Sequence, residues 1–419
     1  MRPWKQAIAA IGGAATIFCA GDAPAADAKY AKLFDGLWTT INENFYDPHF
    51  HGVDWRATGD RYRAKLGDVQ SDAQFAALAT AMLAELKSSH LYVQLPVASK
   101  AFTSGIGARF ATIDGVLTVV EVSPVSDARR RGVRVGDRLI GPRGALNGPL
   151  GSVASVGLES CDGRRKTLKV RREAAFWPPE HPGWRWSVLG NEPGRTIGYL
   201  RVDRFDDGAA EIADTAMAEL KSTKALIIDV RNNSGGNTSA LRLGAYFTDI
   251  GEKPVLALFA RPYLEALGHP VTKADVLKAP KALRAYTDAT VFKAVSDGGG
   301  GAVFYNEEIG AARYGKPVIV LTSEDTGSSG DGFARFMHTN TKARLLGRTT
   351  AGKILSGEDF PIGEGWSVTL PAQGLWDGDG VDISDRAVSP DITIPLGRAA
   401  LCSGRDVDIE QALDLLAQH

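Results

Sequence analysis

The chain has few of the residues that build metal and cofactor sites. Of its 419 residues, three are cysteine and seven are histidine. No His/Cys cluster has metal-ligand spacing, so no metal is expected. Its glycine-rich stretches lack a lysine at the offset of a phosphate-binding loop, so no nucleotide cofactor is expected either. Charge of one sign is also missing. The 48 lysines and arginines offset 49 aspartates and glutamates, a net charge of −1. Nothing in that balance points to nucleic acid or an anionic membrane as partner. Beyond residue 30 no run stays apolar for the roughly 18 residues of a membrane helix, so the body of the chain is expected to be soluble. Internal repeats are absent, and nothing in the sequence sets an oligomeric state.

What is present is ample apolar mass, 44% of the chain. At this length two or three domains are expected. The N-terminus stands apart. Arg2 and Lys5 precede an apolar run over residues 7–20, and small residues follow at Ala23, Ala25 and Ala26. This is the layout of a secretory signal peptide, here residues 1–26, and it implies a secreted or periplasmic protein with no membrane insertion after cleavage. Cys19 follows the bulky Phe18 and does not fit a lipid-attachment site. Cys161 and Cys402 remain in the mature chain. Export permits a disulfide between them, and the sequence does not choose between a bond and two buried thiols.

Periodicity divides the rest. Residues 28–100 read as a helical domain: Leu33, Phe34, Leu37, Trp38, Ile41 and Phe45 recur at helical spacing, and Ser71 to Gln74 is a capping box before a second amphipathic run. Residues 103–172 carry short strands and glycine turns, with a strand over 115–122 and a short helix over 125–131. Residues 177–182, "WPPEHP", read as a linker. From 183 to 396 strands and helices alternate, with strands at 195–202, 225–230 and 316–322 and helices at 209–221, 239–248 and 332–340. That order implies an α/β core with a largely parallel sheet. Residues 251–314 are expected to be an insertion over its open end, and 397–419 a C-terminal helix and tail.

Two segments follow core strands and would meet where ligands gather in such sheets. One is "LIIDVRNNSGG", residues 226–236; the other is "TGSSGD", residues 326–331, with Lys353 lying 25 residues after Ser328. Taken alone, the glycine pair reads as a turn and the serine pair as a helix N-cap. Asp229 and Arg231 are expected to brace the loop, and Asp331 to charge the helix N-terminus. Together the segments suggest a serine nucleophile, a lysine base and glycine amides for an oxyanion. A lysine base must be neutral, and the uncharged stretch around Lys353 suits a desolvated amine.

The segments "GLWTTINENFY", "MLAELKSSHL", "GYLRVDRF", "ALIIDVRNNSGG", "PVIVLTSEDTGSSGDGFA", "LLGRTTAGK" and "VSPDITIP" occur in the order seen in carboxyl-terminal processing peptidases, or tail-specific proteases, which are related to the tricorn core protease. The chain resembles that family over residues 30–396. The resemblance implies a multidomain α/β protein with a crotonase/ClpP-like catalytic core. It implies a serine endopeptidase acting on peptides or unfolded proteins, with Ser328 as nucleophile, Lys353 as base, and the Ser329 and Gly236 N–H groups as oxyanion hole. Residues 103–172 resemble a PDZ domain, with Gly105, Ile106 and Gly107 as the loop for a peptide's carboxylate and the peptide adding as a strand. A gating motion about the linker is expected from that arrangement.

Two departures qualify the resemblance. Where the family has an orienting glutamine four residues after the lysine, this chain has Gly357; Ser356 and Glu358 flank it. The tricorn-like branch uses a histidine from the "SSH" segment, here His90, and a glutamate where this chain has Ser384, with Asp385 beside it. His90 is therefore the alternative base, and Ser356, Glu358 and Asp385 are candidate orienting residues. A second class of reading also stands: a catalytically impaired peptidase fold that binds protein C-termini or a small apolar ligand.

Overall fold

The computed structural model describes residues 25–96, 103–173, 183–189 and 196–417. Of the expected 1–26 leader, residues 1–24 lie outside the described residues, as does the 177–182 linker; Ala25 and Ala26 open the helix Ala25–Asn44.

The centre is a six-stranded sheet in the order Ile392–Thr393, Arg344–Gly347, Val318–Thr322, Ala225–Asp229, Ile197–Val202, Trp184–Leu189. All neighbours are parallel except the last pair, which is antiparallel. Ala225–Asp229 and Val318–Thr322 are buried along their whole length, as the apolar runs require of strands covered on both faces. Leu226, Ile228 and Val320 point to one face, packed by the helices Ala209–Leu220, Ala240–Ala245 and Ser329–Asn340. Ile227, Ile319, Leu321 and Leu346 point to the other, covered by Ala412 and Leu416 of the helix Val407–Leu416. The two-residue period of a strand makes this division.

Residues 251–314 build structure of their own. Their strands Pro254–Ala260 and Gly301–Tyr305 join Lys281–Ala282 and Gln373–Asp377 in a second, four-stranded sheet. A three-stranded antiparallel sheet joins Tyr92–Gln94, Trp366–Leu370 and Glu358–Gly363. The N-terminal helices share a core with these sheets. Phe75, on the helix Asp72–Ala84, meets Trp366 edge-on at 5.2 Å, and one apolar cluster runs from Tyr30 to Trp376. Ser71 caps that helix by accepting from the Gln74 N–H, while the Gln74 side chain reaches the N–H of Gln70 rather than that of Ser71.

The β-rich unit is a five-stranded antiparallel sheet with Ala108–Ile113 at one edge. It is tied to the core twice. Glu121 accepts both terminal nitrogens of Arg201 and the Asn232 amide. Cys161 and Cys402 form a disulfide, with Cα atoms 5.6 Å apart, so the pair left open by the sequence is bonded. Arg398, on the same short helix as Cys402, donates to the carbonyls of Gly136, Glu159 and Ser160. These ties oppose the free gating motion expected from the linker.

Candidate active site

Both motif loops leave the C-terminal ends of adjacent parallel strands, and one residue welds them together. The Asn233 carbonyl accepts the Gly327 N–H at 2.8 Å, its side-chain oxygen accepts the Gly235 N–H at 2.9 Å, and its amide donates to the Val202 carbonyl at 3.0 Å. Asn233 was not singled out in the sequence, where its neighbours Gly235 and Gly236 drew attention. An asparagine two residues before the glycine pair is the sequence signal for it; its complete burial is seen only in the structure.

Ser328 sits at the N-cap of the helix Ser329–Asn340, which starts three residues earlier than the apolar pattern indicates. Its side chain makes no capping bond, so the structural role that a serine pair suggests is not the one it fills. Its backbone has φ 52° and ψ −123°, a conformation that L-residues avoid. Such strain is typical of sharp strand-to-helix turns that push a nucleophile forward. The glycines opposite make room for it. A Cβ on Gly235 would stand 2.5 Å from the Ser328 Cβ, and one on Gly236 would stand 2.1 Å from the Phe205 carbonyl oxygen. Among the described residues, neither the Gly236 N–H nor the Ser329 N–H has an acceptor. Both residues border the cavity that Ser328 borders.

The lysine loop lies alongside. The Ser328 N–H donates to the Lys353 carbonyl at 2.8 Å. Asp331 does not serve as a helix cap. It is buried and accepts the N–H groups of Gly352 and Lys353 at 3.2 and 3.0 Å. Burial raises its pKa, and these bonds oppose the shift. The Lys353 side chain is exposed, not desolvated as its neighbours in sequence suggest.

His90 is half-buried at a positive φ of 53°. Burial pushes its pKa below the usual 6.5; the charge of Asp385 opposes this and that of Lys353 adds to it. Its Nδ1 lies 3.1 Å from Ser89 Oγ. Asp385 accepts the Ser89 N–H at 2.9 Å and the Ser88 hydroxyl at 3.3 Å, and its second oxygen is buried without a partner. Ser384 is occupied elsewhere, with its hydroxyl on the backbone of Leu375. The glycine at 357 is explained by the same neighbourhood: a Cβ there would stand 3.2 Å from the His90 Cβ and 2.6 Å from a Thr369 methyl. Ser356 donates to Gln373 Oε1 at 3.3 Å and Glu358 accepts from Gln373 Nε2, so both flanking candidates are engaged away from Lys353. Among the described residues, neither His90 nor Lys353 hydrogen-bonds the Ser328 hydroxyl.

In the β-rich unit, Ile106 is buried in the local core, and the Gly105 and Gly107 carbonyls accept the N–H groups of Glu173 and Ser123. The loop leads directly into the edge strand Ala108–Ile113.

Comparison with known proteins identifies two of these regions. Residues 196–394 match the description of peptidase family S41, and residues 26–84 match the tricorn protease C1 domain. Residues 196–394 form a peptidase family S41 domain. Tricorn protease homolog 2 of Streptomyces coelicolor is 26% identical over 93% of this chain, and tricorn protease homolog 1 is 24% identical over 93%. The chain spans about a third of the length of these two relatives (32% and 35%). A carboxyl-terminal-processing protease of Picosynechococcus sp. is 22% identical over 91% of this chain and 88% of its own length. Among solved structures, the photosystem II D1 C-terminal processing protease superposes with a TM-score of 0.58 at 19% identity, covering 92% of this chain and 97% of that one. Mature CPAF gives 0.62 at 17%, covering 93% and 96%. These likenesses extend the shared fold from the helical region through the core.

Proposed function

We propose that this protein is an exported serine endopeptidase that cleaves peptides or unfolded proteins, with Ser328 as nucleophile and an acyl-enzyme intermediate. The observation that carries this reading is the strained Ser328 turn, set beside two N–H groups without acceptors at the mouth of a cavity. Ser328 Oγ attacks the scissile carbonyl carbon and gives its proton to a base. The oxyanion takes the Gly236 and Ser329 N–H groups. Collapse expels the amine, which leaves with the proton from the base. Water then repeats the sequence on the ester and frees the serine.

For the base, the surroundings favour His90 over Lys353. A general base must be unprotonated near neutral pH, and burial works in that direction on His90. The Lys353 side chain is exposed, outside the desolvated setting that a lysine base needs. With Nδ1 held by Ser89, Nε2 is left to accept the serine proton. Asp385 takes the place of the carboxylate behind the histidine, acting through the Ser88–Ser89 segment. A substrate would close the remaining gap, since catalytic hydrogen bonds often tighten only in the complex. Lys353 stays as the second reading, favoured by its backbone contact with Ser328. Loss of peptide hydrolysis in Ser328→Ala, with an unchanged melting profile, tests the nucleophile.

Two further parts of the reading have separate support. A disulfide fits an exported protein. The glycine loop beside an open edge strand fits a PDZ-like domain that binds peptide C-termini.

A further inference from the structure

Arg335 is a half-buried arginine without a carboxylate partner among the described residues, and it differs from buried Arg172, which also lacks one, in lining the cavity beside Ser328. Arg201, Arg231, Arg242 and Arg348 each pair with one or more acidic side chains within 4 Å. Arg335 makes no ion pair among the described residues. One terminal nitrogen donates to the Arg386 carbonyl at 2.6 Å, and Nε is buried without a partner. Asp331 and Asp377 act on it only from a distance. Both are engaged: Asp331 by the lysine loop, Asp377 by the N–H groups of Asp379 and Val381 at 2.9 Å. Leaving a guanidinium desolvated and unpaired is costly unless something else completes it.

That something has access. Arg335 lines the same cavity of about 590 Å³ as Ser328. Ser328, Gly332, Arg335 and Phe336 fall at i, i+4, i+7 and i+8, one face of the nucleophile helix. The cavity walls are mostly apolar by area, with Leu241, Leu256, Val291, Phe292 and Ile354, and Lys253, Lys273, Asp288, Asp377 and Asp379 also line it. Seven residues of helix rise about 10 Å, and an extended peptide covers about 3.3 Å per residue. The two backbone positions are therefore separated by about three residues of extended peptide.

We propose that Arg335 is a specificity-determining residue that receives a substrate carboxylate about three residues from the scissile bond, from its place on the nucleophile helix. The carboxylate is either the free C-terminus of a short tail or an acidic side chain; guanidinium recognition is the same for both. The inference rests on the peptidase reading of Ser328, and its test separates the two.

The experiment uses the full mature chain and synthetic peptides built around one cleavable sequence. A carboxylate is placed one to five residues from the cleaved bond, either as the terminal acid (against the amide) or as Asp (against Asn), with products quantified by mass spectrometry. The expected kcat/KM ratio of acid over neutral partner peaks at about three residues and is roughly tenfold or more there, the size of one charge-assisted contact. Whether the terminal or the side-chain series shows the peak identifies the source. In Arg335→Met the ratio falls to about one, and in Arg335→Lys part of it returns. The same peptides are bound to Ser328→Ala by fluorescence anisotropy. An acid preference in binding that vanishes in Ser328→Ala/Arg335→Met supports the proposal even if no peptide is ever cleaved. Ratios near one for both series in the parent chain, or an acid preference untouched by Arg335→Met, overturn it.

Discussion

The Ser328 N–H donates to the Lys353 carbonyl at 2.8 Å, so the nucleophile and the lysine are joined through backbone while the lysine side chain points to solvent. That bond fixes where the lysine loop runs. It leaves open which side chain takes the serine proton; under the proposed function that role falls to His90, whose pKa burial holds below its usual value.

The two bases separate by substitution. His90→Ala is expected to lower kcat/KM for a peptide substrate by about 10²–10⁴, the usual contribution of a general base. Lys353→Met is expected to cost far less, within about tenfold of the parent on the same scale. Steady-state kinetics on both proteins decide; the reverse order returns the role to Lys353.

The pH profile gives an independent reading with a definite sign. His90 must be neutral to act, so kcat/KM should rise with pH through an acid limb whose midpoint lies below 6.5. Lys353 pushes the imidazole down and Asp385 pushes it up. Lys353→Met should therefore move the limb to higher pH, and Asp385→Asn to lower pH. A limb that moves in neither variant would mean that another group titrates.

Gly235→Ala tests the close approach behind the nucleophile. Gly235 has φ 121°, and an added methyl would meet the Ser328 Cβ at 2.5 Å. Displacing the serine by a fraction of an ångström is expected to reduce kcat by about 10²-fold or more. Hydrolysis by this variant at the parent rate would show that the turn has slack.

Breaking the disulfide should loosen the β-rich unit. Replacing both Cys161 and Cys402 by serine is expected to cost about 2–5 kcal/mol of stability. Hydrogen exchange should quicken in Arg398–Cys402 and along the Val153–Glu159 strand, with little change in the buried strand Ala225–Asp229. Uniform protection in the variant would show that the Glu121–Arg201 contact and the Arg398 hydrogen bonds suffice to hold the unit in place.

Much of this was legible in the sequence because it depends on local pattern. Five-residue apolar runs became the central strands, and the glycine pair and serine pair fell on facing loops. What was not legible depends on contacts between distant segments. The exposure of Lys353 is set by how its loop lies on the nucleophile helix, and an uncharged sequence around it says nothing of solvent. Asp331 reads as a helix charge from its position in the first turn, yet it serves the loop at 352–353, 21 residues on. Residues 251–314 look like an insertion because their strands pair with one another and with Gln373–Asp377 rather than with the central sheet. Arg335 is an ordinary helix arginine in sequence; only its unpartnered Nε and the cavity in front of it mark it out.

The most direct test of the central claim is to map the adduct of a fluorophosphonate probe by peptide mass spectrometry on the mature protein. The expected result is a single modified residue, Ser328, with labelling slowed severely in His90→Ala and only modestly in Lys353→Met. Labelling of a different serine, or none on folded protein that still binds peptide, would contradict the account and favour a peptidase fold kept for binding alone.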